Sequence, residues 1–133
     1  MRFLFDTNAV ISLLNRPTGP VSKRLREQHP VDVGVSALVL FELYYGTFRS
    51  GRRDRNQAVV DALRFQVLDF DREDAVHAGA IRALLADEGK PIGAYDVLIA
   101  GQARARGLIL VTRNVREFER VPHLQIADWE TEP

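Results

Sequence analysis

The chain contains no cysteine. That excludes a disulfide framework, a thiolate-bound zinc and a cysteine nucleophile. Net charge is also absent, because 18 Lys and Arg balance 18 Asp and Glu. The overall basic footprint of a nucleic-acid binder is therefore missing. No apolar run approaches the roughly 18 residues of a membrane span. The N-terminal apolar run is cut by Asp6 and Asn8, and no small-residue cleavage site follows it, so no signal peptide is expected. Only three histidines occur. His29, His77 and His123 lie outside the motifs below and read as surface or core fillers. There is no repeat and no low-complexity tract. The expectation is a cytoplasmic protein with no membrane association. Residues 1–133 are read as a single domain, long enough for a sheet covered on both faces without a disulfide or metal staple.

What the sequence does contain is an alternation of short apolar runs and helical patterns. Residues 2–5, 31–35, 65–70, 108–112 and 124–129 read as strands, the last one shorter and weaker. Helical patterns cover 9–14, 21–28, 37–48, 54–63, 72–86 and 94–106, with a further turn at 116–120. Ser36 and Asp54 are expected caps. Asp71 and Asp74 give the fifth helix an acidic first turn, and Gly107 is a fitting C-terminal stop after the sixth. Strands separated by helices imply βαβ units. The predicted fold is α/β, a mostly parallel twisted sheet of about four to five strands with helices on both faces. Ligands of such folds bind outside the carboxyl ends of the strands, and Asp6 follows the first strand directly.

Several polar residues fit a plain surface poorly. Asp6, in "RFLFDTN", could serve only as a helix cap, with Thr7 and Asn8 in similar local roles. Glu42 lies in "ALVLFELYYG" among Leu38, Phe41, Leu43 and Tyr45, where a buried carboxylate must be paired, protonated or metal-bound. Asp96 lies in the first turn of "AYDVLIAGQARARG", where the helix dipole favours an anion. Thr112, Asn114 and Glu117 follow the fourth strand on the same rim as Asp6. Each has a bland local explanation. Their convergence on one rim does not, because several carboxylates there repel one another, and a divalent cation relieves the repulsion. Oxygen-only ligands favour Mg²⁺ or Mn²⁺ over zinc. Basic residues cluster at Lys23, Arg24 and Arg26, at Arg49, Arg52, Arg53 and Arg55, and at Arg104, Arg106, Arg113 and Arg116. They are either solvated surface charge or a basic rim around an acidic hole.

The ordered set "DTN", "ALVLFELYYG", "PIGAYDVLIAGQARARGLILVTRNVREFERV" and "LQIADW" resembles the PIN domain, specifically the VapC toxins of type II toxin–antitoxin operons, over essentially the whole chain. The resemblance implies a PIN-like fold and a Mg²⁺-dependent endoribonuclease, with Mn²⁺ able to substitute. Such an enzyme cuts structured RNA and inhibits translation until a VapB-like antitoxin neutralises it. Asp6, Glu42 and Asp96 match the family's three acidic positions, with Asn114 or Glu117 at a less regular fourth. Asp6 and Asp96 are the first choice as metal ligands. Glu42 would bind a second ion or orient the water. Thr112 would hold a ligand in place. Arg49, Arg52, Arg53, Arg113 and Arg116 would contact RNA or antitoxin. The nearest-looking group cleaves initiator tRNA in the anticodon loop. A homodimer, and a larger toxin–antitoxin complex on operator DNA through the antitoxin, are implied as well. Pro122–His123 stands where relatives often have a glycine turn.

Two other readings compete. An aspartyl phosphotransferase or phosphatase would use Asp6 as nucleophile, but Asn8 stands where a second Asp acid is wanted and no partner lysine is evident. A non-catalytic metal- or RNA-binding α/β module would use the acidic rim without chemistry.

Overall fold

A computed structural model describes residues 1–131. Its centre is a five-stranded sheet in the order β3-β2-β1-β4-β5, with every neighbouring pair parallel. The strands are β1 (Phe3–Phe5), β2 (Val33–Ser36), β3 (Gln66–Leu68), β4 (Ile109–Val111) and β5 (Gln125–Ala127). β1 is flanked on both sides and buried throughout as Phe-Leu-Phe. This is the composition expected of a central parallel strand covered on both faces. Phe3 and Phe5 pack edge-on against Trp129, with ring centroids 5.0 and 5.3 Å apart.

Between the strands run α1 (Thr7–Asn15), α2 (Pro20–Arg26), α3 (Ala37–Arg49), α4 (Arg53–Asp61), α5 (Arg72–Asp87), α6 (Ala94–Ala105) and the single turn α7 (Val115–Phe118). Right-handed crossovers put α1–α4 on one face and α5–α7 on the other. The packing agrees: α1 contacts α2 and α3, α3 contacts α4, and α5 lies along α6. The α5–α6 contact is close because position 101 is glycine. A Cβ there would lie 2.6 Å from the backbone of Ala78.

The expected elements are all present, with shifted ends. α1 begins at Thr7 rather than Ala9, because Asp6 accepts the Ala9 N–H at 2.8 Å and caps it. β2 starts two residues late, since Pro30–Asp32 form a 3-10 turn that Pro30 initiates. α4 is not capped by Asp54, which lies in its first turn; Arg52 holds the cap position without a side-chain bond. β3 and β5 are the sheet edges and span three residues each, as the interior strands β1 and β4 do. Ser36 caps α3, and Asp71 with Asp74 forms a reciprocal capping box. His123 has φ 65°, so the turn there does use the left-handed conformation that glycine adopts most readily.

Candidate active site

The strand order reverses at the β1/β4 boundary. β1, β2 and β3 step outward in one direction, and the chain then returns to place β4 on the other side of β1. Neighbouring connections leave in opposite directions at such a point, opening a crevice beyond the carboxyl ends of the strands. Phe5 pairs with Val111, so the next residues, Asp6 and Thr112, emerge side by side in that crevice. The Asp6 N–H donates to the Val111 carbonyl at 3.2 Å and fixes the exit of β1.

Asp6 is only 4 % exposed. Burial pushes its carboxyl above the ordinary value. The Thr112 hydroxyl, the Ala9 N–H and the Arg113 charge act against this, while the Glu130 charge reinforces it. Thr112 is itself buried, and its hydroxyl accepts the Asn114 N–H at 3.0 Å. Thr112 thus braces Asp6 on one side and the start of α7 on the other.

Asp96 is half-buried in the first turn of α6. Its pKa is pushed up to about 6, first by burial and then by the charges of Glu117, Asp6 and Glu42. Those three carboxylates come from α7, the end of β1 and α3, so the fold brings four acidic groups within electrostatic reach of one another. Gly93 makes room for this: a Cβ there would approach Asp96 Oδ2 to 3.1 Å. The Gly93 N–H also donates to Glu117 Oε1 at 3.0 Å. Glu117 Oε2 accepts from the Asn114 amide. Glu42 accepts from the Thr7 hydroxyl at 3.1 Å.

The residues singled out by sequence therefore divide. Asp6, Thr7, Glu42, Asp96, Thr112, Asn114 and Glu117 form one connected constellation. Asn8 is exposed. Arg52, with Arg55, lines a cavity of about 540 Å³ that also contains Thr7 and Glu42. Arg49 and Arg53 are exposed and outside that cavity. Arg113 reaches Glu130 at 3.9 Å, and Arg116, exposed, immediately precedes Glu117. Among the histidines, His77 accepts from Arg104 Nε at 3.0 Å. Two features had no sequence signal. Glu130 accepts from Ser12 at 2.8 Å and adds charge beside Asp6. Asp74, read only as a helix-start acid, is wholly buried and bonded to Gln102 and Arg106.

Among the described residues no group of three or more His, Asp or Glu side chains forms a ready-made ion cage. The donor chemistry nonetheless fits a hard divalent cation: all donors are oxygens, no thiolate exists, and the neighbouring carboxylates add to the burial that lifts Asp96.

A parallel sheet with carboxylates collected at its switch point is the architecture of a PIN domain, and the model of that domain matches residues 3–124. The chain belongs to the PIN-domain family. Within it the chain is a member of the VapC ribonucleases. It is 43 % identical to the tRNA(fMet)-specific endonuclease VapC of Salmonella typhimurium, over 97 % of this chain and 98 % of that one. It is 40 % identical to the ribonuclease VapC of Haemophilus influenzae, with the same coverage. The DNA-bound VapBC complex of Salmonella typhimurium contains a chain that superposes with a TM-score of 0.92 at 42 % identity, covering 97 % of this chain and 98 % of that one. A chain of the Rickettsia felis VapBC2 complex, bound to a promoter DNA fragment, superposes at 0.90 with 31 % identity, covering 97 % and 99 %. No helix among the described residues is long and apolar enough to cross a membrane.

Proposed function

We propose that the chain is the toxin of a toxin–antitoxin pair, a Mg²⁺-dependent endoribonuclease that cuts tRNA, with initiator tRNA at its anticodon loop as the preferred substrate. The observation that carries this reading is the convergence of Asp6, Glu42, Asp96 and Glu117, from the end of β1, α3, α6 and α7, at the sheet's switch point. Carboxylates gathered there repel one another, and a divalent cation between them would relieve that repulsion. Mn²⁺ should substitute, since it takes the same oxygen donors.

Asp6 and Asp96 would hold the ion. Glu42 would hold a second ion or orient the attacking water, with Thr7 fixing its carboxylate through the 3.1 Å hydrogen bond. Glu117 would complete the donor set, and the Asn114 amide and Gly93 N–H keep it turned inward. When bound, the cation supplies Lewis acidity toward the phosphate and lowers the pKa of its water. The Thr112 hydroxyl would favour the ionised form of Asp6 against the effect of burial. Arg52, Arg113 and Arg116 would neutralise phosphates flanking the acidic centre, and Arg49 and Arg53 would serve the antitoxin. Residues 1–133 would act as one domain within a homodimer in the cytoplasm. A VapB-like antitoxin would neutralise it, and the joint complex would sit on operator DNA through the antitoxin. Cleavage of tRNA accounts for inhibition of translation.

The test is to incubate the purified chain, freed of antitoxin, with total tRNA and Mg²⁺, and to sequence the new 5′ ends. The reading expects cuts concentrated in one tRNA loop, absent with Asp6→Asn. Cuts by that variant at the same positions and rate would overturn it. A non-catalytic binding module would bind Mn²⁺ and release no fragments.

A further inference from the structure

The cavity of about 540 Å³ that holds Thr7 and Glu42 is a trough lined by α1, α3 and α4. Arg52 and Arg55, both exposed, line it too. The acidic and basic groups belong to different ends. Tyr44, two residues past Glu42, donates to Asp61 and ties the last residue of α4 to the Glu42 part of α3. Asn56 donates to the Ser50 hydroxyl at 3.0 Å, and Ser50 donates to the Thr47 carbonyl at 2.7 Å. The first turn of α4, which carries Arg55, therefore lies beside Thr47, about 7 Å along the axis of α3 from Glu42. Ile11 of α1 and Val59 of α4 give the trough an apolar lining and stay 40 % and 42 % exposed, which forgoes the gain of burial. Gly46 lies one turn past Glu42 on α3 and lines the same space. Glycine is the poorest helix former after proline. Gly101 is imposed by the Ala78 backbone, but a Cβ at position 46 would meet no atom within 4 Å. The fold does not require glycine there, and its effect is to leave one wall of the trough bare.

We propose that this trough is the track of the substrate strand: a single-stranded nucleotide flanking the cut lies in it, packed on Ile11 and Val59, with its outer phosphate on Arg52 and Arg55. The proposal rests on the ribonuclease reading above and assigns the part of the same site that holds the strand beyond the scissile phosphate. Glu42 continues the trough into the acidic centre, so a strand cut there has to pass along one side of it. A nucleotide matches the lining, because it joins an anion to an apolar flat group within a short span. The exposed guanidiniums complement the phosphate, and the aliphatic side chains take the base or ribose without reading its identity. A trough that admits one strand excludes a duplex, whose bases are covered by their neighbours. Gly46 lets the strand approach the backbone of α3 closely.

The test measures binding of a fluorescent stem-loop RNA that carries the cut site, in the Asp6→Asn background so that nothing is cleaved. Gly46→Leu fills the trough without a clash inside the fold and should weaken binding about tenfold or more, the scale of overpacking a close contact. Gly46→Ala should fall between it and the parent. Both should melt no lower than the parent, since each residue is a better helix former than glycine. Arg55→Gln should weaken binding and lower the slope of log affinity against log salt by about 0.7, the value for one phosphate contact on a single strand. The chain has no cysteine, so Val59→Cys offers a single attachment point for a photo-cross-linker, which should mark a nucleotide adjacent to the cut. Unchanged affinity in the folded Gly46 variants with an unchanged salt slope in Arg55→Gln would overturn the proposal. So would variants that bind RNA as the parent does but no longer bind the antitoxin, since the trough would then hold a protein segment. If Gly46→Leu failed to fold, the salt slope and the cross-link would decide. If the chain with Asp6 intact cut no RNA, the ribonuclease reading would fail. Binding that still followed the trough substitutions would support the track, and no binding by any variant would overturn it as well.

Discussion

Replacing Asp74 by Asn removes a charge from the most enclosed ionic contact among the described residues. Asp74 is 0 % exposed. It accepts from Arg106 Nη2 at 2.9 Å, from Gln102 at 3.2 Å and from the Asp71 N–H at 3.0 Å. Arg106 also donates to the Asp69 carbonyl at 2.6 Å. The group ties the end of α6 to the loop between β3 and α5. Breaking a fully buried pair costs about 3–5 kcal/mol. Arg106 retains 29 % exposure, so the lower end applies, about 3 kcal/mol. An unfolding entropy of about 2.1 cal/mol/K per residue, over a chain of this size, converts that to a Tm loss of about 10 °C. The pH dependence follows from the direction of the shift. Burial alone would raise the Asp74 pKa, but the hydrogen bonds and charge of Arg106, with the Asp71 N–H and Gln102, bring it below the ordinary 3.8. A depressed carboxylate stabilises the fold above its unfolded pKa, and that stability is lost as pH falls through the folded value. Thermal unfolding by circular dichroism should therefore show a wide gap between wild type and variant at pH 7 that closes below about pH 4. An equal gap at pH 7 and pH 3, or none at pH 7, would refute the reasoning.

Other substitutions test separate parts of the account. Gly101→Ala drives a Cβ into the Ala78 backbone at 2.6 Å and should cost about 1–3 kcal/mol by overpacking, read as a lower Tm with unchanged activity per folded molecule. Asp6→Ser retains a cap residue of similar quality, so stability should hardly fall while RNA cleavage is lost; retention of both would mean that Asp6 acts only as a cap. Thr112→Val removes the hydroxyl that favours ionised Asp6 and accepts the Asn114 N–H, and should weaken Mn²⁺ binding about tenfold by calorimetry. In metal-free protein the Asp96 pKa of about 6 lies above its unfolded value. Its stability contribution is thus full at low pH and lost as pH rises through 6. Relative to wild type, Asp96→Asn should gain Tm between pH 4 and pH 7, and saturating Mn²⁺ should erase that gain.

Most of the fold was legible because β1 and β4 are short apolar runs between helical patterns, and because Ser36, Asp71 and Gly107 punctuate the chain. The ends were less legible. The start of α1 turns on the Asp6 cap, and the late start of β2 turns on Pro30 closing a 3-10 turn. Tertiary context decides both. Asp6, Glu42 and Asp96 could be picked out because each carboxylate is set against apolar neighbours. Glu130 could not be, since its link to Ser12 spans 118 residues and its local sequence is an ordinary polar end. Asp74 was seen only as a first-turn acid because its buried partners, Gln102 and Arg106, lie in and just after another helix. Asn114 and Glu117 could not be ranked from sequence. They are hydrogen-bonded to each other, and the proposed site would use them as one unit with Glu117 supplying the charge.

The central claim is that the carboxylates at the strand ends form a metal-dependent nuclease centre. Its most direct test is the rate of tRNA cleavage against Mn²⁺ concentration for the wild-type chain and for Asp96→Asn, matched for folded fraction. The account predicts no cleavage without the cation, a saturable rise with it for the wild type, and no rise for the variant at any concentration. Cation-independent cleavage, or an Asp96→Asn curve that overlays the wild-type curve, would contradict it.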